Sequence, residues 1–303
     1  MSDELLNLLE SLERDDRTKV REHDITRAPF GYPGGKSKTA KFILPHLPYR
    51  EVYVEPFGGS GVILLSRDAC DLEVYNDKYG GVVCFYRVLR DPKLYNQLLD
   101  RLTLVLHSRE EFDWCKHTWE EAQDPVERAA RWYYMLRTSF GQIGRNFGRS
   151  LKTSMIARKY VNGLQSFPEI HQRLRLVQVE NQDWLQCMRD YDGPETVFYC
   201  DPPYMHTTDG IYVEKFDISE HKRLLDYIHN ECQGFVALSA YQSQLYQSYP
   251  WDRYEQFKSF VSMKGQSFQE SNKGDHKLSD EEATNRDSAD EFLWIKEAEH
   301  LRN

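Results

Sequence analysis

Apolar residues along this chain gather into short compact runs separated by longer stretches of helical period. Runs at 51–55, 72–76, 176–180, 197–200 and 235–239 are rich in β-branched and aromatic residues, which predicts strands buried on both faces. Helical patterns lie between them at 37–47, 60–67, 80–89 and 219–230, the last with Ser219 as its expected N-cap. Strand and helix therefore alternate, the signature of a parallel α/β sheet. Residues 91–175 break the alternation. They carry helical patterns at 91–106 and 125–138 and then a run rich in Gly and Arg up to Tyr160, which predicts a helical insertion with a loop-rich tip. Near the C-terminal end, 254–263 and 291–296 are expected to pair antiparallel across a polar, mobile connector at 266–290. Residues 1–26 are polar apart from Leu5, Leu8, Leu9 and Leu12, the spacing of a short helix on an arm.

Composition narrows the class. With 303 residues and 40% hydrophobic content the chain can bury a substantial core. No apolar run approaches the roughly 18 residues of a membrane span, and the start Met1-Ser2-Asp3-Glu4 lacks a basic, apolar leader, so a cytoplasmic protein without a membrane partner is expected. The six cysteines are scattered and form no metal-ligand spacing, so they are read as reduced and no metal is expected. The net charge of −9 is uneven. Residues 126–176 hold ten Arg and Lys against Glu127 and Glu169, a balance of +8 that leaves −17 for the rest. Aromatic residues and glycines are interleaved with these cations, as on a surface that grips phosphates and reaches toward bases.

Chemistry concentrates at strand ends. Asp201-Pro202-Pro203-Tyr204 follows the fourth run directly. The prolines restrict the backbone, so the Asp201 carboxylate and the Pro202 carbonyl become two acceptors in a set geometry that can converge on one NH2 group. Such contacts localise the lone pair of a planar amine, while Tyr204 offers a ring on which an extruded base can stack. Glu55-Pro56-Phe57-Gly58-Gly59-Ser60-Gly61 sets a glycine turn between strand and helix, and Asp77 follows Gly59 by 18 residues at the end of the next strand. That is nucleotide-site geometry, with an acid suited to ribose hydroxyls, although the glycine spacing departs from Gly-x-Gly-x-x-Gly and disfavours a nicotinamide. Glu55 suits a ligand with a positive amino group. Gly31-Tyr32-Pro33-Gly34-Gly35-Lys36-Ser37 fails the register of a phosphate loop, since Phe30 stands where its first glycine belongs, and reads instead as a loop with Tyr32 and Lys36 facing a cofactor.

In their order, these elements resemble the DNA adenine methylase (Dam-like) family, N6-adenine DNA methyltransferases of the alpha group, over about residues 29–296 and closest to the phage and prophage branch. The resemblance implies a Rossmann-like, class I S-adenosylmethionine-dependent methyltransferase sheet with helices on both faces, formed by 27–90 and 176–303. It also implies a mainly helical target-recognition insert at 91–175. S-adenosylmethionine would lie against Tyr32, Lys36, Glu55, Phe57, Gly59, Gly61, Asp77 and Asp183, and Asp201, Pro202, Pro203 and Tyr204 would be catalytic. Double-stranded DNA is the implied partner. The phosphates would be held by Arg145, Arg149 and Lys152, with Arg137 and Asn146 nearer the bases. Glu55 stands where many members have Asp. The insert only loosely matches the recognition hairpin of GATC methylases, so neither a target sequence nor a cognate restriction enzyme is implied.

The same acceptor geometry would serve cytosine N4 or a planar amine of RNA or protein, and an inactive DNA-binding relic would keep the fold. A cytosine-C5 mechanism is disfavoured because the chain has no Pro-Cys pair.

Overall fold

The computed structural model describes residues 28–32, 34–149, 153–204, 216–260 and 288–298. Seven strands form one sheet: β1 (Val52–Glu55), β2 (Leu72–Asn76), β3 (Val177–Glu180), β4 (Thr196–Cys200), β5 (Phe235–Tyr241), β6 (Arg253–Phe260) and β7 (Ser288–Lys296), in the spatial order β3-β2-β1-β4-β5-β7-β6. The first five are parallel, and β7 runs antiparallel to both β5 and β6. All five predicted parallel strands form, displaced by no more than two residues at any end. The predicted C-terminal pair forms as well. Most of the 266–290 connector, like the 1–26 arm, lies outside the described residues, but its last three positions extend β7.

Alternation along the buried strands divides the core in two. Tyr53, Tyr75, Val197, Tyr199 and Leu293 enter one cluster, while Val54, Val74, Phe198, Cys200 and Trp294 enter the other. A parallel sheet needs both faces covered, and the chain supplies helices on each. One face receives α9 (Trp184–Tyr191) and α10 (Ile218–Asn230). The other receives α2 (Val62–Ser66), α3 (Gly80–Arg90) and the helices of the 91–175 segment: α4 (Pro92–Thr103), α5 (Arg109–Thr118), α6 (Pro125–Thr138), α7 (Met155–Leu164) and α8 (Phe167–Leu174). Trp132 and Tyr133 of α6 pack on Phe85 of α3. Buried residues of the helical segment thus belong to the same core cluster as one face of the sheet.

Helix starts follow the strongest acceptor available. Asp91 and Asp124 each accept two first-turn amides, capping α4 and α6. Asp217, rather than the expected Ser219, caps α10 by accepting from the Ser219 and Glu220 amides. Ser219 lies inside the first turn and donates its own hydroxyl to Asp217. The helix expected at 37–47 is shorter: α1 spans Ala40–Ile43 and tightens into a 3-10 turn at Leu44–His46, where Pro45 removes an amide donor.

In the order β3-β2-β1-β4-β5, the direction of winding reverses between β1 and β4. A crevice opens outside the carboxyl ends of strands at such a switch point. Glu55 ends β1 there and Asp201 follows β4, so the two motifs read from the sequence meet in one place.

Candidate active site

A cavity of about 400 Å³ lies at this switch point. Its walls include Tyr32, Lys36, Glu55, Phe57, Gly59, Asp77, Asp183, Asp201 and Pro203. Both predicted groups therefore line one space, and Gly61 lies just behind it at the start of α2.

The glycine turn is held by carboxylates and close packing. Asp77 Oδ2 accepts the Gly59 amide and Oδ1 accepts the Tyr79 amide, both at 2.8 Å. Gly59 has φ +50°, and a Cβ there would come within 3.1 Å of the Tyr32 ring. Its neighbour Gly58 has no room at all, since a Cβ would lie 2.2 Å from Tyr75. The turn accordingly presents backbone to the cavity, which suits a nucleotide-like ligand approaching closely. Glu55 is buried and accepts from the Tyr53 hydroxyl at 2.8 Å. Burial pushes its carboxyl up to about 8, against the pull of the Tyr53 hydroxyl and the Leu64 amide.

Part of the cavity wall is aromatic. Phe57 lies 6.2 Å from Trp184 in a stacked arrangement and 5.4 Å from Phe216 edge-on. Trp184 Nε1 donates to Glu220, and Arg223 pairs with Glu220 and lies 3.8 Å from Asp183. Asp183 also caps α9 by accepting the Leu185 amide. Sequence reading had found Phe57 and Asp183 but not Trp184, Phe216, Glu220 or Arg223. The available signal was Trp184 adjoining Asp183. Nothing in the sequence marks α10 as a cavity wall.

The tetrapeptide end holds a dense polar cluster. Lys36 Nζ donates to both carboxylate oxygens of Asp201, at 2.6 and 2.7 Å, to the Tyr204 hydroxyl at 2.7 Å and to the Gly34 carbonyl at 2.9 Å. Lys36 thus lines the expected cavity with its head on the Asp201 carboxylate. Glu291 of β7 completes the cluster, with Oε1 3.3 Å from Lys36 Nζ and accepting the Tyr204 hydroxyl proton. Burial opposes the Lys36 charge, but Asp201 and Glu291 outweigh it and hold the ammonium pKa above its ordinary value. Burial pushes Asp201 up to about 6, against the attraction of Lys36 and with further repulsion from Glu291. Pro202 is buried behind Asp201, whereas Pro203 faces the cavity. Tyr204 is turned inward with 8% of its surface exposed, and its ring lies 4.6 Å from that of Tyr241. The open stacking face expected of Tyr204 is therefore covered in this state. In the sequence Glu291 is marked only as the first residue of the 291–296 run.

Beyond the cavity, α6 leads into a loop closed by an antiparallel bridge between Ser139 and Phe147. Phe140, Arg145 and Asn146 are exposed on it, and Arg149 follows on the surface. Lys152 lies outside the described residues. Arg137, expected nearer the bases, is 6% exposed and donates to Gln142 Oε1 at 2.5 Å and to the Lys159 carbonyl. Arg173 is bound to the buried Glu73, and Arg131 pairs with Glu127 over the Trp114 ring. Several of the cations behind the local +8 are thus spent inside the fold. Among the described residues, Arg145, Arg149, Arg158 and Lys159 are exposed members of that set. No described helix is long and apolar enough to cross a membrane, and no described group of three or more His, Cys, Asp or Glu is arranged to hold a metal.

Comparison with known proteins places the chain among DNA methyltransferases. The chain is 26% identical to the DNA adenine methylase of Vibrio cholerae over 186 residues and to that of Salmonella typhimurium over 201. Each match covers 59% of this chain and 65% of the relative, so the chain spans just under two thirds of those proteins. It is 23% identical over 249 residues to the type II methyltransferase M.CviBI of Paramecium bursaria Chlorella virus NC1A, covering 74% of this chain and 88% of that protein. A family model described as D12 class N6 adenine-specific DNA methyltransferase matches residues 32–285, from the loop before Lys36 past the tetrapeptide. With the glycine turn and Asp201 meeting at the switch point, the chain belongs to the D12 class N6 adenine-specific DNA methyltransferase family.

Proposed function

We propose that the protein transfers a methyl group from S-adenosylmethionine to N6 of an adenine extruded from double-stranded DNA. The observation that carries this reading is the Asp201 carboxylate, which sits at the end of β4 in the same cavity as the glycine turn and there accepts N–H bonds from the Lys36 ammonium. An exocyclic NH2 needs that kind of acceptor.

The cavity fits the cofactor. Its volume is that of a small-molecule site. The turn at Gly58 and Gly59 is shaped by atoms that exclude a Cβ, and Glu55 and Asp77 beside it both line the cavity. Asp77 would take the ribose hydroxyls with acceptor capacity left over from the two backbone amides, Glu55 the amino group, and Phe57, Trp184 and Asp183 the purine. When bound, S-adenosylmethionine supplies an electrophilic methyl on a positively charged sulfur.

The protein's own groups prepare the amine. Asp201 and the Pro202 carbonyl draw on its two N–H bonds and keep the nitrogen lone pair from delocalising into the ring. Asp201 must be ionised to do so, and it must first be vacated by Lys36. The loop at 139–147 faces outward with Phe140, Arg145 and Asn146, and Arg145 with Arg149 would grip phosphate. Arg137 supports that loop from within.

Expression in a host lacking DNA methylation, followed by nucleoside mass spectrometry and mapping of modified bases, tests this reading. N6-methyladenine at one short sequence is expected. N4-methylcytosine, or no modified base from folded protein, overturns it.

A further inference from the structure

Lys36 stands where the target amine must go, and the way it leaves is written in the surrounding groups. Its ammonium is 5% exposed and has three N–H bonds, shared among Gly34, Tyr204 and the two oxygens of Asp201. Stripping such a group of its partner inside the protein costs several kcal/mol, so an amine arriving at Asp201 cannot simply evict it into an apolar wall. Glu291 lies within reach. Its Oε1 is 3.3 Å from Nζ, so a displacement of well under an ångström makes a full charge-assisted hydrogen bond.

We infer that Glu291 is a positioning residue: it receives Lys36 when the target amine takes the lysine's place on Asp201. The inference rests on the proposed function. Before exchange, two carboxylates share one ammonium. Afterwards Lys36 neutralises Glu291, and Asp201 is free to accept the neutral amine, so charge is conserved within the cluster and nothing buried is left unpaired. Tyr204 moves with the exchange. Its hydroxyl donates to Glu291 while Lys36 is on Asp201, and its oxygen already lies 3.3 Å from Asp201 Oδ1. As Lys36 fills Glu291, that hydroxyl is released toward Asp201. Glu291 itself is held by strand pairing opposite Tyr241, in a stretch where Phe292, Leu293 and Trp294 are all buried. Among the described residues its ion-pair partner is Lys36. An apolar residue would pack there at less desolvation cost, so the carboxylate needs a reason other than stability.

The test uses the full-length protein on duplex DNA carrying its mapped site, with kcat and KM read on the unmodified adenine site and extrusion read from 2-aminopurine placed beside the target adenine, since 2-aminopurine at the target itself would lack the N6 amine. Glu291→Gln leaves Lys36 committed to Asp201. The expected result is a fall in kcat of about 30-fold or more with KM for DNA within about threefold, and a matching loss of the 2-aminopurine signal. Adding Lys36→Met to Glu291→Gln is expected to restore the extrusion signal, because nothing then occupies Asp201. Glu291→Asp keeps the charge and is expected to recover at least about a third of the wild-type kcat. The inference is overturned by a Glu291→Gln variant with wild-type kcat, by failure of Lys36→Met to restore extrusion, or by a folded Glu291→Asp variant as slow as Glu291→Gln. Should Glu291→Gln fail to fold, the aspartate variant and Lys36→Met alone decide: the latter must extrude at least as readily as wild type. A wild-type protein that methylates no adenine defeats the proposed function itself, a result distinct from these.

Discussion

The side-chain carbonyl of Gln142 accepts the backbone amide of Gly31 at 2.8 Å, tying the loop that faces outward from α6 to the loop that carries Lys36. Gln142 adopts φ +57°, uncommon for a residue with a side chain, and the same oxygen accepts from Arg137. A residue held in that region is retained because its surroundings demand it. Here the demand is the junction of the two loops. Gln142→Ala removes it, leaves the Gly31 amide without its acceptor, and is expected to slow methylation about tenfold through misplacement of the Lys36 loop. DNA affinity, which the proposed function assigns to the outward cations, is expected to stay within about threefold. Filter binding and steady-state rates on the same DNA separate the two, and an unchanged rate would show the junction to be incidental.

Removing the acceptor itself has a larger effect. Asp201→Ala is expected to lower the methylation rate about 100-fold or more, the usual cost of one polarising group, with cofactor affinity altered only a few fold. Lys36 keeps Glu291 as a partner, so the variant should remain folded. Retention of half the wild-type rate would rule out the role given to Asp201.

Acid should inactivate the enzyme by a route visible in the cluster. Asp201 is pushed up to about 6, so its carboxylate gains a proton as pH falls through that value and loses the negative charge with which it draws on the amine's N–H bond. The single-turnover rate is expected to drop on the acid side with an apparent midpoint near 6, set by the coupled Asp201, Lys36 and Glu291. A rate flat down to about pH 5 would contradict this.

Glu55 offers a trade of stability against binding. Its pKa is raised on folding to about 8, so the protonated form is favoured in the folded, ligand-free protein. That stabilisation is complete below the unfolded value near 4.5 and is lost as pH rises toward 8. Glu55→Gln mimics the protonated form. Calorimetric melting is expected to show it more stable than wild type near pH 9 and little changed near pH 5, while its affinity for S-adenosylmethionine falls. A variant less stable at both pH values would refute the assignment.

The cation set makes a sharp division. Replacing Arg145, Arg149 and Lys152 together should flatten the dependence of DNA affinity on salt by about one unit per lost phosphate contact, with cofactor binding intact. Arg137→Ala should act differently, lowering the melting temperature, because its guanidinium holds Gln142 and the Lys159 carbonyl from within. An equal effect of both changes on the salt slope would mean that Arg137 also reaches the surface when DNA is bound.

By itself the sequence determined the strands, most helix positions and both motifs of the site, because these are local matters. Apolar runs mark buried strands, a glycine turn and an acid 18 residues on lie within one strand-turn-helix-strand unit, and two prolines constrain the acid beside them. Contacts between distant segments were not legible. Lys36 meets Asp201 across 165 positions and Glu291 joins them from a strand that runs antiparallel to its neighbours, so their union depends on sheet order and register. The sequence could not sort the arginines of 126–176 into buried and exposed, and Arg137 was expected to reach outward. Only the fold decided which would be spent on Glu73, Gln142 or Glu127 and which would face outward, since a guanidinium goes inward only where buried acceptors repay its desolvation.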